Sequence, residues 1–359
     1  MMRNKNLYMR IRHAQKRPRE AFRRLLRRSA LRMLRVDFSK QTEIQYVELG
    51  LYNSVVLSKH TVAPAREVEF QTGDSVFGHN FNRKFVVELS NVLVNTETNH
   101  IYVAEKSKNS YRLLKESSSW PTEQVLLSAE KPKYKSIKTI GRAALGLPNN
   151  GFYHWLSDDL PDFLFNKQEL PVLYYKNSNA ANRNVMEILG KTTIQCERWV
   201  IVENLTFITK GQDLGYLHPA GVQVLREFQS SIVENKKSKS ERIYVSRSKS
   251  RRSIPSENAI ESYLLDKGFR IVHAEDFSLL DQINIFANAK LVIGIHGAGL
   301  SHALWLEDCN LIELMPINRV NRCFEWQALI CGGDYQLIYF DPNQSAEVNL
   351  IPQLELLNL

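Results

Sequence analysis

In the second half of the chain, short apolar runs alternate with stretches in which apolar residues return at helical spacing. Residues 242–245, 269–273, 291–295 and 311–315 form runs of four or five residues, too short for an ordinary helix, and predict buried strands. Residues 256–267, closed by Gly268, and residues 278–289 carry the helical period, and Ser278 with Asp281 three positions on resembles a capping box. Strands alternating with helices of this length predict a doubly wound parallel sheet, whose ligand lies beyond the carboxyl ends of the strands. From Val36 to Gly141 the pattern is shorter and alternating, as in residues 85–89, 91–94 and 100–104, and signals strands. Residues 171–175 and 199–202 add two more. The Lys- and Ser-rich residues 234–241 read as a surface connection.

Residues 291–306 organise this arrangement. A strand runs into the turn His296-Gly297-Ala298-Gly299, a helix follows in which Leu300, Ala303, Leu304 and Leu306 recur, and the strand 311–315 comes next. Such a turn directs backbone N–H groups and a positive helix end into one crevice, where a phosphate or carboxylate is the expected guest. The two glycines serve a purely structural turn equally well, so the neighbouring loops decide. The loop after Val245 opens on the same edge and holds Arg247, Arg251 and Arg252. Charge-assisted bonds from such side chains contribute about 1.5–3 kcal/mol each, and a diphosphate suits the combination.

Residues 149–162 hold the other chemistry. Behind an Asn-Asn-Gly turn come His154, the aromatics Tyr153 and Trp155, and the acids Asp158, Asp159 and Asp162. The acids spell D-D-x-x-D, which holds magnesium in all-helical isoprenoid enzymes, but here strands and helices alternate and Pro161 interrupts the motif. Two readings stand: an amphipathic core segment with a solvated acidic start, or a general base supplied by Asp158 or His154.

Length and charge refine the picture. A chain of 359 residues exceeds one typical core and predicts two domains. The four cysteines are far apart and form no metal or disulfide framework, which fits a reducing compartment. Residues 1–35 sum to +12 while the remaining 324 sum to −3. Within this arm Phe22, Leu25, Leu26, Ala30, Met33 and Leu34 recur at helical spacing among arginines, which predicts a basic amphipathic helix. It suits an anionic membrane surface, at roughly 1 kcal/mol per basic residue, or a solvated or partner-binding role. The slightly acidic remainder shows no recognition module, so no nucleic-acid partner is expected. Without an apolar run near eighteen residues or a secretory core, the expectation is a cytoplasmic protein, peripheral on the inner face of the cell membrane.

Tyr153-His-Trp-Leu156, Asp158, Leu160-Pro161, Tyr244-Val-Ser-Arg247, Arg252-x-Ile254, Asp281-Gln282, His296-Gly-Ala-Gly-Leu300-Ser301 and Ile312-Glu313-Leu314 form an ordered series that resembles glycosyltransferase family 61. The resemblance covers about a quarter of the chain. Members include bacterial capsular-polysaccharide transferases and eukaryotic xylan and O-glycan transferases. It implies a GT-B-like α/β architecture, two Rossmann-like domains facing a cleft. It also implies inverting transfer from a nucleotide-sugar donor to a hydroxyl of a glycan or lipid-linked glycan acceptor, in capsular or other cell-surface polysaccharide synthesis. Carried over by position, Asp158 is the first candidate for the base and His154 the second. The donor site takes Arg247, Arg251, Arg252, His296 and the N–H groups of Gly297, Ala298, Gly299, Leu300 and Ser301, with Glu313 placed to accept from a ribose or to cap a loop. No Asp-x-Asp is present, so no metal or other cofactor is expected, arginines and the helix end replacing the cation.

The sequence departs from the family's pattern at Ser256, where Asn is common, at His302, where Asn often follows Ser or Thr, and at Asp162, where Arg often follows Leu-Pro. The other readings are a non-catalytic nucleotide or phosphate binder and an α/β esterase, the latter requiring a Gly-x-Ser-x-Gly elbow that the sequence lacks. The expected divisions are an arm at 1–36, an acceptor-side domain at 37–215, a donor-side domain at 216–335 and a tail at 336–359 packing back across the first. Deletion of residues 1–35 is expected to abolish co-sedimentation with anionic vesicles; unchanged co-sedimentation would remove the membrane role.

Overall fold

A computed structural model describes residues 44–48, 75–76, 79–80, 84–105, 110–114, 137–166, 169–210, 214–233, 240–250, 254–308, 310–357 and 359. The basic arm with its expected helix, and Arg251 and Arg252, lie outside the described residues. The first half contributes β1 (Ile44–Glu48), β2 (Ser75–Val76), β3 (His79–Asn80), β4 (Phe85–Asn95), β5 (His100–Glu105), β6 (Ser110–Leu113), β7 (Lys138–Ala144), β8 (Val172–Tyr175), β9 (Thr193–Cys196) and β10 (Trp199–Ile208). All but β2 and β3 form one sheet in the order β6-β5-β4-β10-β7-β8-β9, with β1 also on β4.

A Rossmann-like first domain would be parallel throughout, and here the expectation is corrected. β4, β5 and β6 are an antiparallel meander, β10 is antiparallel to β4, and parallel pairing is confined to β10, β7, β8 and β9. The cause is the tight link after β4, too short for a crossover. Asn95 Oδ1 accepts from the amides of Glu97 and Thr98 at 3.1 and 3.3 Å, and Asn99 takes φ 58° to bring the chain back. Residues 85–89 and 91–94, two apolar runs in the sequence, are one strand, because Asn91 at φ 53° absorbs an irregularity that Asn tolerates better than most residues.

The second half follows its sequence pattern to within two residues at each end. β11 (Glu241–Val245), β12 (Arg270–Val272), β13 (Ala289–Ile295), β14 (Leu311–Pro316) and β15 (Tyr335–Phe340) lie in the order β12-β11-β13-β14-β15, all parallel. Helices Glu257–Asp266 and Leu279–Ala287 cross between them. Ser278 caps the second, its Oγ accepting from the Asp281 amide at 3.2 Å and donating to that carboxylate at 2.6 Å. The strand order reverses between β11 and β13, the switch point where such sheets bind ligands.

Two expectations are corrected here. The helix after the glycine turn is a 3-10 helix, Ala298–Trp305. Its backbone bonds close at three residues, Leu300 N to Gly297 O at 2.9 Å and Leu306 N to Ala303 O at 3.1 Å, and Leu300, Ala303 and Leu306 keep that same spacing into the core. The tail does not cross the first sheet: β15 extends the second, and Ala346, Leu350 and Leu354 pack with Tyr244, Ile293, Ile312 and Phe340.

The largest apolar cluster lies between the halves. Trp155, Leu156 and Leu160 from residues 152–165, and Val222, Leu225 and Phe228 from helix Pro219–Ile232, meet Phe286, Leu300, Leu304, Trp305, Phe324 and Trp326. Trp326 Nε1 donates to Leu217 O at 2.9 Å and Gln229 Nε2 to Trp305 O at 2.6 Å, so the junction is hydrogen-bonded as well as buried. Among the described residues no helix is long and apolar enough to cross a membrane.

Candidate active site

The carboxyl edge of the second sheet opens into a cleft of about 560 Å3, within the range of small-molecule sites. Ser246, Arg247, Lys249 and Ser250 after β11, Ala274, Glu275 and Gln282 around the turn after β12, and Ala298, Gly299 and His302 after β13 line it, with Phe152 from the first half. Three loops that the sequence places on one edge therefore do converge. Arg247 is fixed at both ends. Its backbone N–H donates to Glu257 Oε1 at 2.5 Å, and its Nη1 donates to the carbonyl of His296.

The two turn glycines are there for space. A Cβ on Gly297 would stand 2.9 Å from Nη1 of Arg247 and 3.0 Å from Cζ, and one on Gly299 would stand 2.7 Å from Cγ1 of Val245. Only bare backbone lets the guanidinium lie across the turn. Of the expected amide donors, Leu300 N–H is committed to Gly297, and Leu300 and Ser301 are buried; Ala298 and Gly299 face the cleft.

Glu313 does not face the cleft. It is fully buried, with Oε1 2.5 Å from Nδ1 of His296 and Oε2 accepting from the Tyr335 hydroxyl at 2.6 Å. Burial and the neighbouring Glu313 push the Tyr335 phenol upward, which keeps it a donor. Glu313 thus orients His296 from behind. His302, a departure in the family pattern, stacks on Phe286 at 4.7 Å and tilts against Phe152 at 4.8 Å. Burial pushes it down to about 3, so it is a neutral aromatic wall.

The other chemistry sits on residues 152–165, where a π-helical turn, Trp155–Asp159, interrupts two short α-helical pieces. It sets His154 Nδ1 3.0 Å from Asp158 Oδ2. Asp158 is buried and also accepts from Ser157 Oγ at 2.9 Å and Gly215 N at 3.1 Å, while the His154 side chain is 29% exposed. A carboxylate on Nδ1 selects the tautomer protonated there and leaves the lone pair on Nε2. Of the two candidates, the histidine side chain is the more exposed and the aspartate is buried behind it. A chain of rings links this pair to the glycine turn: His154 to Tyr153 at 5.6 Å, Tyr153 to Phe324 at 5.1 Å and Phe324 to His296 at 5.5 Å.

Residues 152–312 match the family Glycosyltransferase 61. The match spans just under half of the chain, from Phe152 on the cleft wall to Ile312 in β14, and contains the His154–Asp158 pair, Arg247 and the glycine turn. Such a Glycosyltransferase 61 match supports glycosyltransferase activity in general, with a donor and an acceptor as substrates. No curated protein matches the chain.

Within the matched span Asp162 departs from the pattern, and the structure shows what receives it. Lys84 Nζ, 1% exposed, bonds Asp162 Oδ1 at 2.5 Å; Lys210 Nζ bonds Asp162 Oδ2 at 3.1 Å, Asp159 Oδ1 at 2.9 Å and the Asp158 carbonyl. Asn150 Nδ2 completes Asp159 at 2.6 Å. These contacts occupy the acids of D-D-x-x-D from within the protein, and among the described residues no group of three His, Cys, Asp or Glu is disposed around a metal position. Sequence reading missed both lysines: each is single, far from its partner, and carries no spacing signal.

Burial works against ionisation of Asp162, but Lys84 and Lys210 outweigh it and hold the carboxyl below the usual carboxylate range. A depressed carboxyl stabilises the fold above its unfolded pKa of about 4 and loses that contribution as pH falls through the lower folded value. Asp162→Asn leaves Lys84 buried without its counter-charge, at about 3–5 kcal/mol. Chemical denaturation across pH 2–7 is expected to show that loss at neutral pH and a shallower acid slope in the variant; an unchanged midpoint would mean that the network contributes nothing to stability.

Proposed function

We propose that this chain is an inverting glycosyltransferase that moves a sugar from a nucleotide-sugar donor to a hydroxyl of a glycan acceptor. The observation that carries the reading is Arg247 seated across Gly297 at the switch point, beside a cleft that Phe152 of the first half also lines. The donor diphosphate lies against Arg247 and the amides of Ala298 and Gly299. His154 Nε2 takes the acceptor's proton, the acceptor oxygen attacks the anomeric carbon, and the C–O bond to the diphosphate breaks with its electron pair on the departing oxygen. One displacement inverts the anomeric centre. The negative charge grows where Arg247 and the amides already point, and a preorganised donor of this kind contributes about 3 kcal/mol. Asp158 stabilises the imidazolium as it forms.

The second half, with its parallel sheet and glycine turn, is proposed as the donor side and the first half, with its mixed sheet, as the acceptor side. Arg247 and backbone amides meet the diphosphate charge, so the reaction is proposed to run without a metal. A cell-surface polysaccharide, built on a lipid carrier that the basic arm would approach at the membrane, is the acceptor class this reading favours.

His154→Ala is expected to lower kcat by about 10²–10⁴-fold while nucleoside diphosphate affinity stays within twofold, as a lost general base requires. Asp158→Asn is expected to reduce kcat with donor binding retained. Full turnover in His154→Ala would remove the histidine from the mechanism. Activity is also expected to survive excess EDTA; loss restored by manganese would show that a cation, not the protein, meets the diphosphate charge.

A further inference from the structure

Glu313 and Tyr335 lie in β14 and β15, just beyond the span matched to the family, and the transfer described above gives them no part. They form one line with His296. Glu313 is wholly out of water, its Oε1 is 2.5 Å from Nδ1 of His296, and its Oε2 accepts from the Tyr335 hydroxyl at 2.6 Å. A carboxylate in that setting needs a counter-charge, and the imidazole is the basic group bonded to it. The neighbouring titratable groups do not supply one. Burial and the Glu313 charge push the Tyr335 phenol upward, burial pushes the Cys323 thiol up to about 12, and Glu325 is bonded to Arg322 at 2.5 Å.

His296 also bridges the two groups that the transfer needs. Its carbonyl accepts from Nη1 of Arg247, and its ring meets Phe324 edge-on at 5.5 Å. Phe324 in turn meets Tyr153 at 5.1 Å, and Tyr153 meets His154 at 5.6 Å. The bond that breaks lies between the diphosphate on Arg247 and the acceptor oxygen that His154 deprotonates, so a residue reaching toward both is placed beside it. One ring nitrogen is open. Nδ1 faces Glu313, while Nε2 bonds to no described residue and is not sealed in the core, which leaves it at the exposed edge of the ring. Each half therefore carries a histidine bonded to a buried carboxylate, His154 on Asp158 at 3.0 Å and His296 on Glu313 at 2.5 Å. A transfer that takes a proton at one end and releases an oxyanion at the other can use both.

We propose that Glu313, itself oriented by Tyr335, holds His296 as an imidazolium that hands its Nε2 proton to the departing diphosphate oxygen. The anomeric C–O bond breaks with its electron pair on that oxygen. The Nε2–H bond breaks, a new O–H bond forms, and His296 is left neutral with its other proton on Nδ1 toward Glu313. His154 meanwhile gains the acceptor's proton, so one proton enters the protein as one leaves, and both histidines reset by exchange with water. His296 is the catalytic residue of this step, and Glu313 and Tyr335 are positioning residues. The inference rests on the donor reading above.

Kinetics and nitrogen-15 spectra of the full chain test it. UDP-glucose, UDP-xylose and GDP-mannose are screened for turnover, and UDP and GDP for calorimetric binding. With the donor that is consumed, His296→Gln is expected to lower kcat by about 10²–10³-fold, as a lost general acid requires, with donor KM and diphosphate Kd changed by less than about tenfold. Glu313→Gln keeps the shape but removes the charge, and is expected to reproduce most of that loss in kcat. Tyr335→Phe keeps the ring and is expected to lower kcat by about tenfold with KM held, which carries the comparison if the Glu313 variant does not fold. Spectra at neutral pH are expected to show His296 protonated at both nitrogens in the wild type and at one in Glu313→Gln, a signature that a purely structural contact would not give. A neutral His296 in the wild type, or wild-type kcat in Glu313→Gln, overturns the inference and leaves the donor reading intact. If no donor is consumed and neither diphosphate binds, the donor reading falls and the inference falls with it.

Discussion

The candidate site depends on how closely two backbones approach at the carboxyl edge of the second sheet. β11 and β13 are neighbours, and the loops that leave them share one small volume. The space exists because positions 297 and 299 have no side chain: the Arg247 guanidinium occupies one vacancy and Val245 the other. A hydrogen bond from that guanidinium to the His296 carbonyl then fixes the turn, and the Arg247 amide on Glu257 fixes the loop. Burial of Glu257 against Tyr244 and Ser246 anchors this arrangement in the sheet itself. The geometry of this edge is thus a packing consequence.

The same economy holds on the facing segment. A continuous α-helix over residues 152–165 would carry its side chains in even register; the π-helical turn widens that register between Trp155 and Asp159. Trp155 drops into the interface, where Asn182 accepts from its indole at 2.6 Å, while His154 stays at the surface with Asp158 behind it. The buried Asp158 accepts from a hydroxyl and a backbone amide and bonds the imidazole, which holds His154 against the segment.

Much of the second half was legible in the sequence because its strands are buried on both faces and its helices on one, so apolar runs and helical periods map directly onto elements. The convergence of the loops after Val245, His273 and Ile295 followed from sheet topology alone. What was not legible depends on side-chain direction or on partners distant in sequence. Leu300, Ala303 and Leu306 fit a 3-10 helix as well as an α-helix, and three-residue backbone bonds at Gly297 and Ala303 decide between them. Glu313 alternates with apolar neighbours in β14 and reads as a strand-end acid; only the presence of His296 and Tyr335 on either side shows it to be internal. The mixed first sheet hinges on five residues, Asn95 to Asn99, whose turn chemistry outweighs the strand pattern around them.

Asp162 shows how a departure from a family pattern becomes intelligible through its surroundings. Lys84 and Lys210 bring two positive charges to a site where Asp158, Asp159 and Asp162 bring three negative ones, nearly all of it out of water. A basic side chain at 162 would face Lys84 at hydrogen-bonding distance with no solvent to screen the repulsion, so this position takes an acid. Positions 84, 162 and 210 thus form one charge set in this chain. Because Lys210 also bonds the Asp158 carbonyl, the set is tied directly to the turn that carries the His154–Asp158 pair. The first sheet thereby fixes where the His154–Asp158 pair stands, and the second sheet independently fixes the Arg247 loop against the glycine turn.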